Sequence, residues 1–135
     1  MIEAWRKVWR HGIAPQLSRA ALEALRQALA IDDPRLLQGA TTAPPPLQTV
    51  QDRPVEGACP IGYSGWQGDG LATVGEVEQF FADTCHAADR LIGEPAGIRY
   101  FTNFWDDSPR HFARLLLLAE VEGELARRSG KAGAA

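Results

Sequence analysis

Asp83 and His86 stand three positions apart in this sequence, and Asp106, Asp107 and His111 follow within a later stretch of six residues. Carboxylate oxygens and imidazole nitrogens can hold zinc, manganese or iron, so Asp83, His86 and His111 form a candidate metal set if the two segments meet in space. The spacing is a weak signal, because neither an HExxH nor a CxxC pair accompanies it. Asp106, Asp107 and His111 would alternatively supply the acid and base groups of a small hydrolase, with Cys59 as a nucleophile. Cys59 sits in a glycine-rich segment, where a small buried thiol is the commoner fate. Cys85 and His86 are neighbours on a predicted helix and diverge by about 100°, so they cannot act as a couple, and Cys85 reads as core. Neither a GxSxG nucleophile elbow nor a glycine-rich phosphate loop is present.

The element that must position Asp106 and Asp107 is the stretch just before them. Ile98 to Trp105 is rich in aromatic and β-branched side chains, which suits a pleated, half-buried strand. Asp106-Asp107-Ser108-Pro109 would stop that strand, with Ser108 available as an N-cap and Pro109 at the first turn of a following helix. On a strand Asp106 and Asp107 point to opposite sides, so they are not an acid and base couple. Alternation also places Tyr100 and Phe104 on one face and Phe101 and Trp105 on the other, and a second aromatic face must meet something. Phe101 and Trp105 are therefore the expected partner-binding anchors, joined by Leu117 from a run of four leucines too broad for one buried stripe.

The rest of the chain supplies helices. Ile2, Trp5, Val8 and Trp9 recur at helical spacing, and aromatics so placed are usually core; Gly12 and Pro15 are expected to end this first helix. Ser18 is a fitting N-cap for a second helix with Leu22, Leu25 and Leu29 inside, closed by Asp32-Asp33-Pro34. Residues 39–54, with three consecutive prolines, form an extended connection, and 55–66 reads as a short irregular strand. Thr73 and Glu76 match a capping box, opening a third helix whose inward seam is Val74, Val77, Phe81, Thr84, Ala88 and Leu91. The last helix is expected to turn Phe112, Leu115, Leu116, Leu118, Ala119 and Leu125 inward.

These elements point to an α+β domain over residues 1–128, three or four helices on a small antiparallel sheet of two or three strands centred on 98–105, with a frayed tail at 129–135. The 135 residues carry a net charge of -3, which argues against a nucleic-acid binder, and no apolar run is long enough to span a membrane. The N-terminus has no secretory pattern, so a cytoplasmic location is expected. Charge is uneven: residues 1–31 stand at +3, residues 32–124 at -9 and the remainder at +3. A basic first helix lying on an acidic body is the simplest arrangement. No cofactor is expected. The favoured function is a non-catalytic protein-interaction or regulatory module, binding a protein partner or a second copy of itself. The alternative is the small hydrolase, metal-dependent or not, at the 98–111 junction.

Overall fold

A computed structural model describes the backbone of residues 2–134 and the side chains of residues 2–130. Helix α1, Ala4–Val8, runs on as a π-helical segment, Trp9–Ile13, and a 3-10 turn, Ala14–Gln16. Helix α2 spans Arg19–Ile31, and a long connection holds strand β1, Thr42–Ala43, and a 3-10 turn, Gln48–Val50. Strand β2, Gly57–Ala58, leads into helix α3, Pro60–Tyr63, which continues as a π-helical segment, Ser64–Gly68. Helix α4 spans Val74–Ile92. A third π-helical segment, Gly97–Thr102, passes directly into helix α5, Asn103–Asp107, and helix α6, Arg110–Ala134, closes the chain.

The broad α+β class therefore holds, with six α-helices among the described residues rather than three or four and a sheet of two antiparallel strands, Thr42 opposite Ala58 and Ala43 opposite Gly57. The expected strand over 98–105 is corrected: that stretch is helical throughout. Residues four apart share a helix face, so Phe101 and Trp105 turn inward together while Ile98 and Asn103 face out, and one buried face replaces two half-buried ones. The side chain of Asp89 on α4 fixes the start of the segment by accepting the amides of Ala96 and Gly97 at 2.8 and 2.7 Å.

Local signals place several ends as expected. Ser18 Oγ accepts the Ala21 amide at 2.9 Å, and Thr73 and Glu76 form the reciprocal capping box that opens α4. Gly93, at φ 92°, closes that helix. Gly12 does not end the first helix. It lies inside the π-helical segment, where a Cβ would meet the Cβ of Ala88 at 3.0 Å, so its bareness lets the first helical segment lie against α4. Gly68 does the same against α2, where a Cβ would fall 2.3 Å from the Ala21 Cα.

One apolar core joins these elements, with Trp9, Trp105, Phe101, Leu22, Leu25, Leu29 and Leu117 among its fully buried side chains. The expected α6 face is rotated: Ala113, Leu117, Val121 and Leu125, four apart, point inward, while Phe112, Leu115 and Ala119 face out. On α4 the expected seam holds at Val74, Val77, Thr84 and Ala88, and Leu91 alone is exposed. Leu47, on the long connection, is exposed as well. Helix α6 runs to Ala134, and the side chains of 131–135, within the tail expected at 129–135, lie outside the described residues. No helix among the described residues is long and apolar enough to cross a membrane.

Candidate functional site

The acidic junction is a structural clasp. Asp106 and Asp107 end α5, and Asp106 Oδ1 accepts the Gly39 amide at 2.8 Å. Gln38 donates from Nε2 to the carbonyl oxygens of Trp105 and Ser108 at 2.7 and 3.0 Å, and Trp105 Nε1 donates to the Leu37 carbonyl at 2.7 Å. Residues 37–39 are thereby tied to the end of α5, while the Leu37 amide donates to the Ala58 carbonyl of β2 at 2.8 Å. Asp107 and His111 are exposed, and His111 Nδ1 lies 3.2 Å from Arg114 Nη2.

The other candidate reactive groups are dispersed. Asp83 and His86 are both exposed on α4, where Asp83 accepts from Gln79 Nε2 at 2.8 Å. Among the described residues, no three His, Cys, Asp or Glu side chains are grouped so as to hold a metal ion, so Asp83, His86 and His111 do not converge there. Cys59 is buried as the N-cap of α3, its Sγ accepting the Gly62 amide at 3.5 Å. Burial pushes the Cys59 thiol up to about 12, and burial pushes Cys85 up to about 12 as well. Since the thiolate is the nucleophile, neither cysteine is activated at neutral pH.

The expected partner anchors lie in the interior. Phe101 and Trp105 are each 1% exposed and Leu117 is 0% exposed, so in this conformation none of the three presents a surface. Phe101 stacks on Trp9 with ring centroids 5.6 Å apart, and the half-buried Phe104 stacks on Trp5 at 3.8 Å. What covers the aromatic face is the chain's own first helical segment.

Beside that aromatic contact lies a cleft of about 750 Å³ between the Trp9–Ile13 segment and the second half of α6. Trp9 and Pro15 form one wall, Ala119 and Gly123 the other, and Arg10, His11 and Arg127 stand with Glu120 and Glu124 around it. A Cβ on Gly123 would meet nothing within 4 Å, so the α6 backbone is open there. Glu120 accepts from Arg10 Nε and Nη2 at 2.7 and 2.9 Å and from Arg6 Nη1 at 2.9 Å. Glu124 accepts from Arg128 Nε at 2.8 Å and from both Nε and Nη2 of Arg127. Arg128 also donates to the Ala14 carbonyl at 2.8 Å, tying the C-terminal half of α6 to the end of the first helical segment. The basic first helix thus lies on acids of the body.

The Arg10 guanidinium, assisted by Arg6, holds the Glu120 carboxyl below its ordinary range despite its burial. Glu124 is shifted the same way: burial opposes ionisation there, and the Arg127 and Arg128 guanidiniums overcome it. Both acids are therefore ionised at neutral pH and already shared between two guanidiniums. Two guanidiniums, Arg10 and Arg127, and two carboxylates, Glu120 and Glu124, line the cleft, and Arg6, Arg128 and Glu3 extend the ion-pair network behind them. Trp9 Nε1 is buried with no hydrogen-bond partner among the described residues, a condition that costs about 1–3 kcal/mol.

Sequence reasoning missed this cleft because its parts are far apart in the chain. Arg10 counted only toward the charge of the basic first helix, Arg127 toward that of the basic C-terminal end, and Trp9 read as plain core. The one available signal was the pairing of small residues, Ala119 and Gly123, a helical turn apart beside two glutamates. No protein-family model matches the chain, and no curated protein or solved structure matches it significantly.

Proposed function

We propose that this chain is a non-catalytic protein-interaction or regulatory module whose partner surface is the outward face of α6. The observation that carries the reading is the pair Phe112 and Leu115, 58% and 46% exposed and one turn apart on a 25-residue helix. Ile31, Leu47 and Leu91 are also exposed, but each stands on a different element. Single exposed apolar residues need no explanation, whereas two large ones within a turn supply the aromatic and aliphatic anchors on which interfaces depend. They take the role first expected of Phe101, Trp105 and Leu117, which the core occupies. The hydrolase reading has no comparable support, because Asp106 is engaged by Gly39 and Cys59 by its own helix.

The test is a Phe112→Glu, Leu115→Glu double variant, compared with the wild type by circular dichroism, sedimentation velocity and affinity capture. Both positions are exposed, so helix content should be unchanged. Truncating such anchors costs about 2 kcal/mol or more, which weakens association by about thirtyfold, so the double variant should lose the second copy or the captured partner that the wild type holds. A wild type that stays monomeric at every concentration, capturing the same proteins as the variant, would overturn the reading.

A further inference from the structure

We infer that the cleft between the Trp9–Ile13 segment and α6 is a binding site for a small organic carboxylate with a compact apolar body. Its size is the first ground. About 750 Å³ is the volume of a metabolite-sized pocket and far more than a bare inorganic anion fills. Charge is the second. Glu120 and Glu124 are each satisfied by two guanidiniums, so they do not repel an incoming anion as free carboxylates would. Arg10 and Arg127 spend Nε and Nη2 on those acids, and among the described residues their Nη1 groups donate to nothing. A guanidinium presents its N–H groups in one plane, in the geometry a carboxylate accepts.

The walls supply the apolar half of the specificity. The Trp9 side chain and Pro15 face Ala119 and Gly123, where the missing Cβ of Gly123 lets a flat body lie against the helix. The Trp9 indole N–H is buried and has no acceptor among the described residues, so its resonance reports on packing directly behind the wall. The wall is also built from one of the three π-helical segments among the described residues, a rare form frequently found at functional sites. These observations are independent of Phe112 and Leu115, so the site stands or falls apart from the partner surface.

The experiment is a titration of the full chain followed by the indole N–H resonances in nitrogen–proton correlation spectra, with the Trp9 signal assigned from a Trp9→Phe variant. The probes are benzoate, hexanoate and 1-naphthoate, with 1-naphthalenemethanol as the neutral counterpart and inorganic phosphate as the bare anion. At least one carboxylate should move the Trp9 signal saturably, at least tenfold more tightly than the neutral alcohol or phosphate. Arg127→Gln should weaken that binding by tenfold or more. Gly123→Leu fills the cleft from an exposed helical position, and it should abolish binding while leaving the thermal melt intact. Four results would each overturn the inference: no carboxylate of the panel binds, the alcohol binds equally well, phosphate alone binds equally well, or Gly123→Leu binds like the wild type.

Discussion

Gly68→Ala should be among the most damaging single-methyl additions available in this protein. The Cβ it introduces would lie 2.3 Å from the Ala21 Cα, 2.6 Å from the Ala21 nitrogen and 2.7 Å from the Ala20 carbonyl oxygen. Ordinary contact begins near 3.4 Å, so the α2 backbone or the Ser64–Gly68 segment must retreat by about 1 Å. Neither can do so locally, because these atoms are main chain in the first turn of a capped helix whose Leu22 and Leu25 are fully buried. Overpacking of this kind costs about 1–3 kcal/mol and occasionally more. The backbone location puts this case at the upper end, about 3 kcal/mol, or roughly 10 °C in Tm for a chain of this size. Gly123→Ala is the matched control. Its Cβ meets nothing within 4 Å inside α6, so the helix propensity of alanine should stabilise it by up to about 1 kcal/mol. Urea and thermal melts of both variants give the two signs. If Gly68→Ala falls within about 0.5 kcal/mol of the wild type, at the margin of ordinary surface substitutions, the close packing of the Ser64–Gly68 segment on α2 is refuted.

Trp105→Phe removes the indole donor to the Leu37 carbonyl while keeping an aromatic ring, and should cost about 1–3 kcal/mol of stability without changing association, read by melts and sedimentation. Unchanged stability with lost association would restore Trp105 as a surface anchor. Acid should also destabilise the fold in a defined window. The Asp33 carboxyl is held below its ordinary range by the Arg35 guanidinium, with Tyr63 Oη donating to it at 2.9 Å, and Glu120 is lowered by Arg10. Groups with lowered folded values contribute fully above the unfolded carboxylate pKa of about 4, and that contribution is lost as pH falls through the folded values. Urea midpoints should therefore hold level from neutral to about pH 5 and fall below about pH 4, with a shallower fall in Glu120→Gln. An identical acid slope in that variant would mean that Glu120 gains nothing from Arg6 and Arg10.

How much of this was legible depends on whether the information was local. The Ser18 cap and the Thr73–Glu76 box could be read directly, since a cap is a contract between residues three apart. The tryptophans of the first helix were readable as core for a similar reason: Trp5, Val8 and Trp9 repeat at helical spacing. The 98–105 stretch was misread because aromatic and β-branched composition outvoted periodicity. Its rings sit on both faces at a period of two, and only a helical period gathers Phe101 and Trp105 on one side. Tertiary contact then decides the matter, with Trp9 stacked on Phe101 and Asp89 anchoring the segment's amides. In α6 the four consecutive leucines left the helix phase undetermined, so Leu117 was expected outside and Leu115 inside, and the reverse holds. The cleft was out of reach altogether, because it joins residues 9–15 to residues 119–127.

The central claim is that this protein works through the outward face of α6 and not through the carboxylates at the end of α5. Site-specific photo-crosslinking tests it most directly, with a photoreactive phenylalanine derivative placed at Phe112 in one protein and at Asp107 in another, both exposed positions. Irradiation in the cells that make the protein should give a discrete covalent adduct, to a partner or to a second copy, from position 112 and none from position 107. An adduct from position 107 alone would contradict the account and return the acidic junction to the centre of its function.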